Sequence, residues 1–176
     1  MDLSSVIIAV AGMAGTLGGS LLTQRRAERA RRREIRLVRA HDEERENLAL
    51  RRTCYTELNR DARQFTTALN RHLHILRERG TADDTDKAAL DEAKAAFRDR
   101  YSEAQMIAPE HVLGPAQTVN RALSDVYGQV KRLERDEPEA GETLDSASRA
   151  QHAVWDLLRT LRTAMRRDLG VSSGED

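Results

Sequence analysis

Between Arg25 and Arg79 the chain runs 55 residues without a proline or a glycine. Those two residues punctuate most folds, because proline removes a backbone donor and glycine loosens the chain. A stretch of this length without either predicts one helix of roughly 80 Å at 1.5 Å per residue. Its second half carries a repeat. Leu48, Tyr55, Ala62, Leu69 and Leu76 recur every seven residues, and Leu58, Phe65 and His72 lie three residues after three of them. That spacing places all of them on one helical face, and Cys54 and Leu73 widen it to the width a bundle buries. Traced backward the pattern fades into His41, Glu34 and Ala27. Residues 25–47 therefore read as a charged stalk, with only a weak seam at Ile35, Leu37 and Val38, and residues 48–169 as the packed domain.

Three further amphipathic segments follow, separated by breakers. Gly80 stops the first helix behind Arg77 and Arg79, cations that suit the negative end of its dipole. The cluster TADDTD (81–86) is a turn and N-cap. The second helix then runs to about Ala108, with Leu90, Ala93, Phe97, Tyr101, Ala104 and Ile107 on one face. Pro109 breaks it. The segment APEHVLGPA predicts a short helical turn over 110–113 and a restart near Pro115. The third helix buries Val119, Ala122, Leu123, Val126, Val130 and Leu133. After the DEPEAG loop (136–141), a fourth runs from about Glu142 to Leu169 on Leu144, Ala147, Val154, Leu158, Leu161 and Met165, with Trp155 half exposed at its edge. GVSSGED (170–176) reads as a disordered tail. Short loops make neighbours antiparallel. The fold class is all-α: an N-terminal single transmembrane helix continues into a long helical stalk, then an up-down-up-down antiparallel four-helix bundle.

The transmembrane expectation comes from the first 24 residues. Leu3 to Gln24 contain no charge, and 22 helical residues span roughly 33 Å, enough for a hydrocarbon core. Arg25, Arg26, Arg29, Arg31, Arg32 and Arg33 follow at once. Positive flanks stay in the cytoplasm, so the N-terminus is expected outside and the bulk of the chain in the cytoplasm. A secretory signal peptide would carry its positive charge before the run, where Asp2 stands. Ala11, Gly15 and Gly19 recur every four residues, a small-residue stripe that lets membrane helices approach closely and suggests a homodimer or higher homo-oligomer.

Charge is unevenly laid out. Residues 25–39 hold eight arginines against two glutamates, or +6. With Asp2 at −1 and a net charge of zero for the chain, residues 40–176 carry −5. A basic collar beside a membrane points to anionic headgroups, contacted by the same six arginines. Nucleic acid is not expected, since no aromatic residues for stacking accompany the collar. Lysine occurs only at 87, 94 and 131, a bias taken as that of a GC-rich genome. Cys54 is the single cysteine, which forbids an intrachain disulfide and reads as a small buried residue.

No catalytic, cofactor-binding or metal-binding residue is expected. A di-iron bundle needs Glu-x-x-His pairs, and none of the five histidines has an acid three residues before it. His72 and His74 face different sides of a helix. No His-Glu-x-x-His, Cys-x-x-Cys, phosphate-binding glycine loop or Gly-x-Ser-x-Gly is present. The acids stand at surface spacing beside arginines and read as solvated faces. The function expected is a non-catalytic, membrane-anchored scaffold or adaptor whose bundle binds a protein partner or itself. The alternative is a ligand-sensing bundle with a pocket opened by the APEHVLGPA segment, to be tested first at His111 and Tyr127. An enzyme without a recognisable motif ranks last.

Overall fold

A computed structural model of the chain describes residues 3–171, with side chains described at residue 31 and from residue 36 onward. Among these residues the structure is helical throughout and has no strand. The elements are α1 (Leu3–Arg79), α2 (Asp84–Ile107), α3 (Glu110–Glu134) and α4 (Leu144–Asp168). The chain divides into two compact units, Met1–Asn47 and Leu48–Asp176, and α1 supplies residues to both.

In the first unit Arg31 and every residue from Arg36 to Asn47 are exposed, Leu37 at 72% and Val38 at 56%. Among the described residues no helix is long and apolar enough to cross a membrane. The side chains of Leu3–Gln24, on which the expected anchor rests, lie outside the described residues. So do those of Ala11, Gly15 and Gly19, and of Arg25, Arg26, Arg29, Arg32 and Arg33.

The second unit is a four-helix bundle whose directions alternate. Tyr55, early in this part of α1, meets Asp168 at the end of α4, and Arg77 near the end of α1 meets Asp145 at the start of α4. Asp61 faces Arg100 of α2, whereas Arg71 faces Asp86, ten residues on along α1 and fourteen back along α2. Lys87 of α2 approaches Glu134 at the end of α3. Gln129 of α3 donates to Ser146 of α4, and His111 meets Asp168. Each of these neighbouring pairs is thus antiparallel. The backbones of α3 and α4 approach closely along their length. Fully buried Ala116 and Ala147 suit that approach, because small side chains at a contact shorten the distance between axes.

The core is built from the expected faces. Leu58, Ala62, Phe65, Leu69, Leu73, Leu90, Phe97, Val119, Leu123, Val130, Val154 and Leu161 are all at most 2% exposed. The Phe65 ring lies 6.0 Å from that of Phe97 and 6.1 Å from that of Tyr127, joining three helices at one layer. One seam position departs from expectation: Leu48 is 44% exposed. α4 ends at Asp168, opposite Tyr55 and Arg51, so Leu48 lies a turn beyond the helix that would cover it.

The helix ends follow their chemistry. Gly80, at φ +74°, closes α1 by donating its N–H to the Leu76 carbonyl at 2.9 Å, a left-handed stop that glycine adopts without a Cβ penalty. Asp83 caps α2 by accepting from the Asp86 N–H at 2.8 Å. Thr143 and Ser146 form a reciprocal capping box on α4. The restart expected at Pro115 does not occur, because α3 is continuous from Glu110 with Pro115 inside it. Proline there removes a single bond, to the His111 carbonyl four residues back, at the exposed start of the helix. The residue before it is Gly114, which lacks the Cβ that ordinarily clashes with the proline ring in helical geometry. Pro109, as N-cap, needs no N–H; its carbonyl accepts from Val112 and Leu113 at 2.9 and 3.0 Å.

Candidate functional site

Several acids expected on solvated faces are buried. The Asp168 carboxylate, 6% exposed, accepts from the Tyr55 hydroxyl at 2.8 Å and from Arg51 at 3.3 Å, and His111 Nε2 stands 3.1 Å away. Burial, then the hydrogen bond to Asp168, raises the pKa of Tyr55. Asp61, also 6% exposed, pairs with Arg60 at 2.9 Å and Arg100 at 3.5 Å. Burial likewise raises the pKa of the Cys54 thiol, with Glu103 and Glu57 adding to it, so the single thiol is held neutral. Deeper still, Gln151 donates to the Thr66 carbonyl at 3.0 Å while the Thr66 hydroxyl donates to Ala62 at 2.7 Å.

A fourth cluster lies at the α2–α3 face. Glu134, with its side chain 7% exposed, accepts Lys131 at 2.7 Å, and Lys87 stands 4.0 Å from it. His72 Nε2 is 3.4 Å from Glu134 Oε1. Neither ring nitrogen of His72 has a hydrogen-bond partner among the described residues. Three residues back along α3 from Lys131 and one further, Tyr127 donates to Asp91 at 2.7 Å, with Lys94 Nζ 3.6 Å from its ring centroid. Burial, then Asp91, pushes the Tyr127 pKa up to about 12. All three lysines of the chain therefore converge on one face of the bundle, a placement that counting lysines in the sequence does not suggest.

His111 and Tyr127, the residues to be tested first for a ligand pocket, are not adjacent. They lie sixteen residues apart on α3, roughly 24 Å along its axis, and each is engaged with a different helix. Among the described residues no three His, Cys, Asp or Glu side chains are placed to hold a metal ion.

The open chemistry of the bundle lies elsewhere, on the α1–α4 seam. Asn59 and Arg63 of α1 and Trp155, Leu158, Arg159 and Arg162 of α4 line a groove of about 210 Å³. The Arg63 guanidinium carbon is 5.8 Å from the Trp155 ring centroid. Arg159 is paired with Asp156 on its own helix. Arg63 and Arg162 join no ion pair among the described residues. The signal for this groove is present in the sequence: from Leu157 to Arg167 α4 holds four arginines and no acid, within a region whose net charge is negative.

No family model, no curated protein and no solved structure matches the chain.

Proposed function

We propose that the protein is a non-catalytic, single-pass membrane-anchored helical scaffold. Its bundle binds a protein partner or a second copy of the chain. The observation that carries the reading is the uncharged run Leu3–Gln24 set directly against the arginine collar beginning at Arg25. The run is long enough to span a bilayer, and the collar is the flank that stays cytoplasmic and meets anionic headgroups. The small-residue stripe Ala11, Gly15 and Gly19 is the face for self-association within the membrane. Exposed Leu37 and Val38 support a second contact between copies, since a helix pair would cover them. The buried acids of the bundle favour a structural role, because each that is named above is already engaged by a partner side chain.

The test is topology. In a Cys54→Ala background, Ser173→Cys is labelled with a membrane-impermeant maleimide in intact and in lysed cells, and the same cells are fractionated. Protection in intact cells, labelling after lysis and retention in the membrane fraction through a high-salt wash are expected. Release by salt would refute the anchor. Labelling of intact cells would refute the orientation.

A further inference from the structure

We infer that the α1–α4 groove binds a phosphate monoester. The residues facing it supply guanidinium groups without supplying a counter-charge. Arg63 and Arg162 come from different helices, line one groove and join no ion pair among the described residues, while Asn59 adds an amide to the same lining. Guanidinium groups present parallel N–H donors in the geometry that phosphate oxygens accept, and charge-assisted bonds of this kind are about twice as strong as neutral ones. Two like charges beside a shared groove repel each other until an anion enters. The rest of the wall is Trp155 and Leu158, with Arg159 already paired to Asp156 on its own helix. Arg63 lies against the indole in a cation–π contact. That contact biases one exposed guanidinium toward the groove before any ligand arrives and so reduces the entropy lost on binding. A dianionic phosphate bonded to a small carbon-bearing group matches both halves: oxygens toward Arg63, Arg162 and Asn59, carbons against Trp155 and Leu158. A bare inorganic anion would leave the apolar wall unused. The source of the monoester is a soluble metabolite or a phosphatidic acid headgroup.

Trp155 is the only tryptophan of the chain, so intrinsic fluorescence reads this groove. The full chain in a non-ionic detergent is titrated with glycerol 3-phosphate against sodium chloride at matched ionic strength. In a second arm the chain in phosphatidylcholine vesicles is compared with the chain in vesicles also containing phosphatidic acid. A saturable change in at least one arm is expected, weakened about tenfold or more by Arg162→Gln and unaffected by Arg121→Gln, an exposed arginine of α3. A response to glycerol 3-phosphate identifies a soluble ligand, and a response confined to phosphatidic acid identifies the headgroup. No saturable change in either arm, equal losses in the two variants, or an equal response to sodium chloride at matched ionic strength would overturn the inference. Membrane anchoring is read by fractionation rather than by Trp155, so failure here leaves that reading standing.

Discussion

The contact between Tyr55 and Asp168 is predicted to be the strongest single polar tie in the bundle. The Tyr55 residue is 2% exposed and the Asp168 side chain 6%, and the hydroxyl donates to the carboxylate at 2.8 Å. A hydrogen bond to a charged acceptor contributes about 1.5–3 kcal/mol. Asp168 also meets Arg51, 34% exposed, and His111, 55% exposed. An ion pair as wet as that with Arg51 contributes roughly 0–1 kcal/mol after solvent screening. Tyr55→Phe is therefore expected to cost about 1.5–3 kcal/mol. Asp168→Ala should cost slightly more, about 2–4 kcal/mol, because it strands a buried hydroxyl and leaves Arg51 without its carboxylate. The double variant should fall short of the sum of the single costs by about 1.5 kcal/mol or more, since either substitution alone removes the same bond. Asp168→Asn should cost less than Asp168→Ala, as its amide oxygen still accepts but the charge is gone. Urea unfolding followed by Trp155 fluorescence and by far-ultraviolet circular dichroism measures all four. A coupling below about 0.5 kcal/mol would refute the argument, because additivity of that quality belongs to sites that do not touch.

Further outcomes follow from other contacts. Phe65→Ala removes the ring shared by Phe97 and Tyr127 and should cost about 3–5 kcal/mol, enough to lower Tm by 10 °C or more in a melt. Gly80→Ala forces a side chain into φ +74°, where nothing crowds a Cβ, so about 1–2 kcal/mol of backbone strain is expected without any packing loss. The Glu142 pKa is lowered to about 2, chiefly by Arg132 and then by the Glu139 N–H. Its contribution is present above the ordinary carboxylate pKa and is lost as pH falls toward 2, so Glu142→Gln should lower Tm at pH 7 and leave it unchanged at pH 2. Tyr127 has the opposite sense. Its contribution is full below pH 10 and is lost as pH rises through about 12, so the alkaline fall in Tm should be shallower in Tyr127→Phe than in the parent protein.

The sequence was informative where periodicity and breakers act locally. Four helices, the stop at Gly80, the cap before α2 and the buried faces of all four helices follow from spacing and turn chemistry. It failed where the outcome depends on what stands opposite. Leu48 keeps the seven-residue period but has no neighbour, because α4 ends at Asp168. Glu134 falls four residues after Val130, and Asp168 seven after Leu161. Their register alone places both on buried faces, yet a charge in that register reads as a surface residue until its partners, Lys131 and Tyr55, are located. Gln151 is the same case in α4: it fills the buried position between Ala147 and Val154. Pro115 misled for another reason. The penalty for an internal proline assumes a preceding residue with a Cβ and a buried carbonyl four residues back, and Gly114 and exposed His111 supply neither. For the candidate groove, the acid-free half of α4 was visible, but its pairing with Arg63 needed the antiparallel register of α1 against α4.

That register raises the question of what selects one bundle among several. The apolar faces are mostly leucine, valine and alanine, which pack against one another with little preference, so burial alone favours compactness more than a particular helix order. The polar contacts are not interchangeable. Tyr55 with Asp168 and Thr66 with Gln151 tie α1 to α4; Asp61 with Arg100 ties α1 to α2; Asp91 with Tyr127 ties α2 to α3; Gln129 with Ser146 ties α3 to α4. Each adjacent interface carries at least one. In a bundle with the helices in another order, or slid by a turn, Asp168, Asp61 and Gln151 would enter the core without those partners. A buried polar group left alone costs more than a satisfied one contributes. These contacts therefore act mainly against the alternatives, and their net effect on the stability of the native bundle is smaller than the damage done by removing one partner.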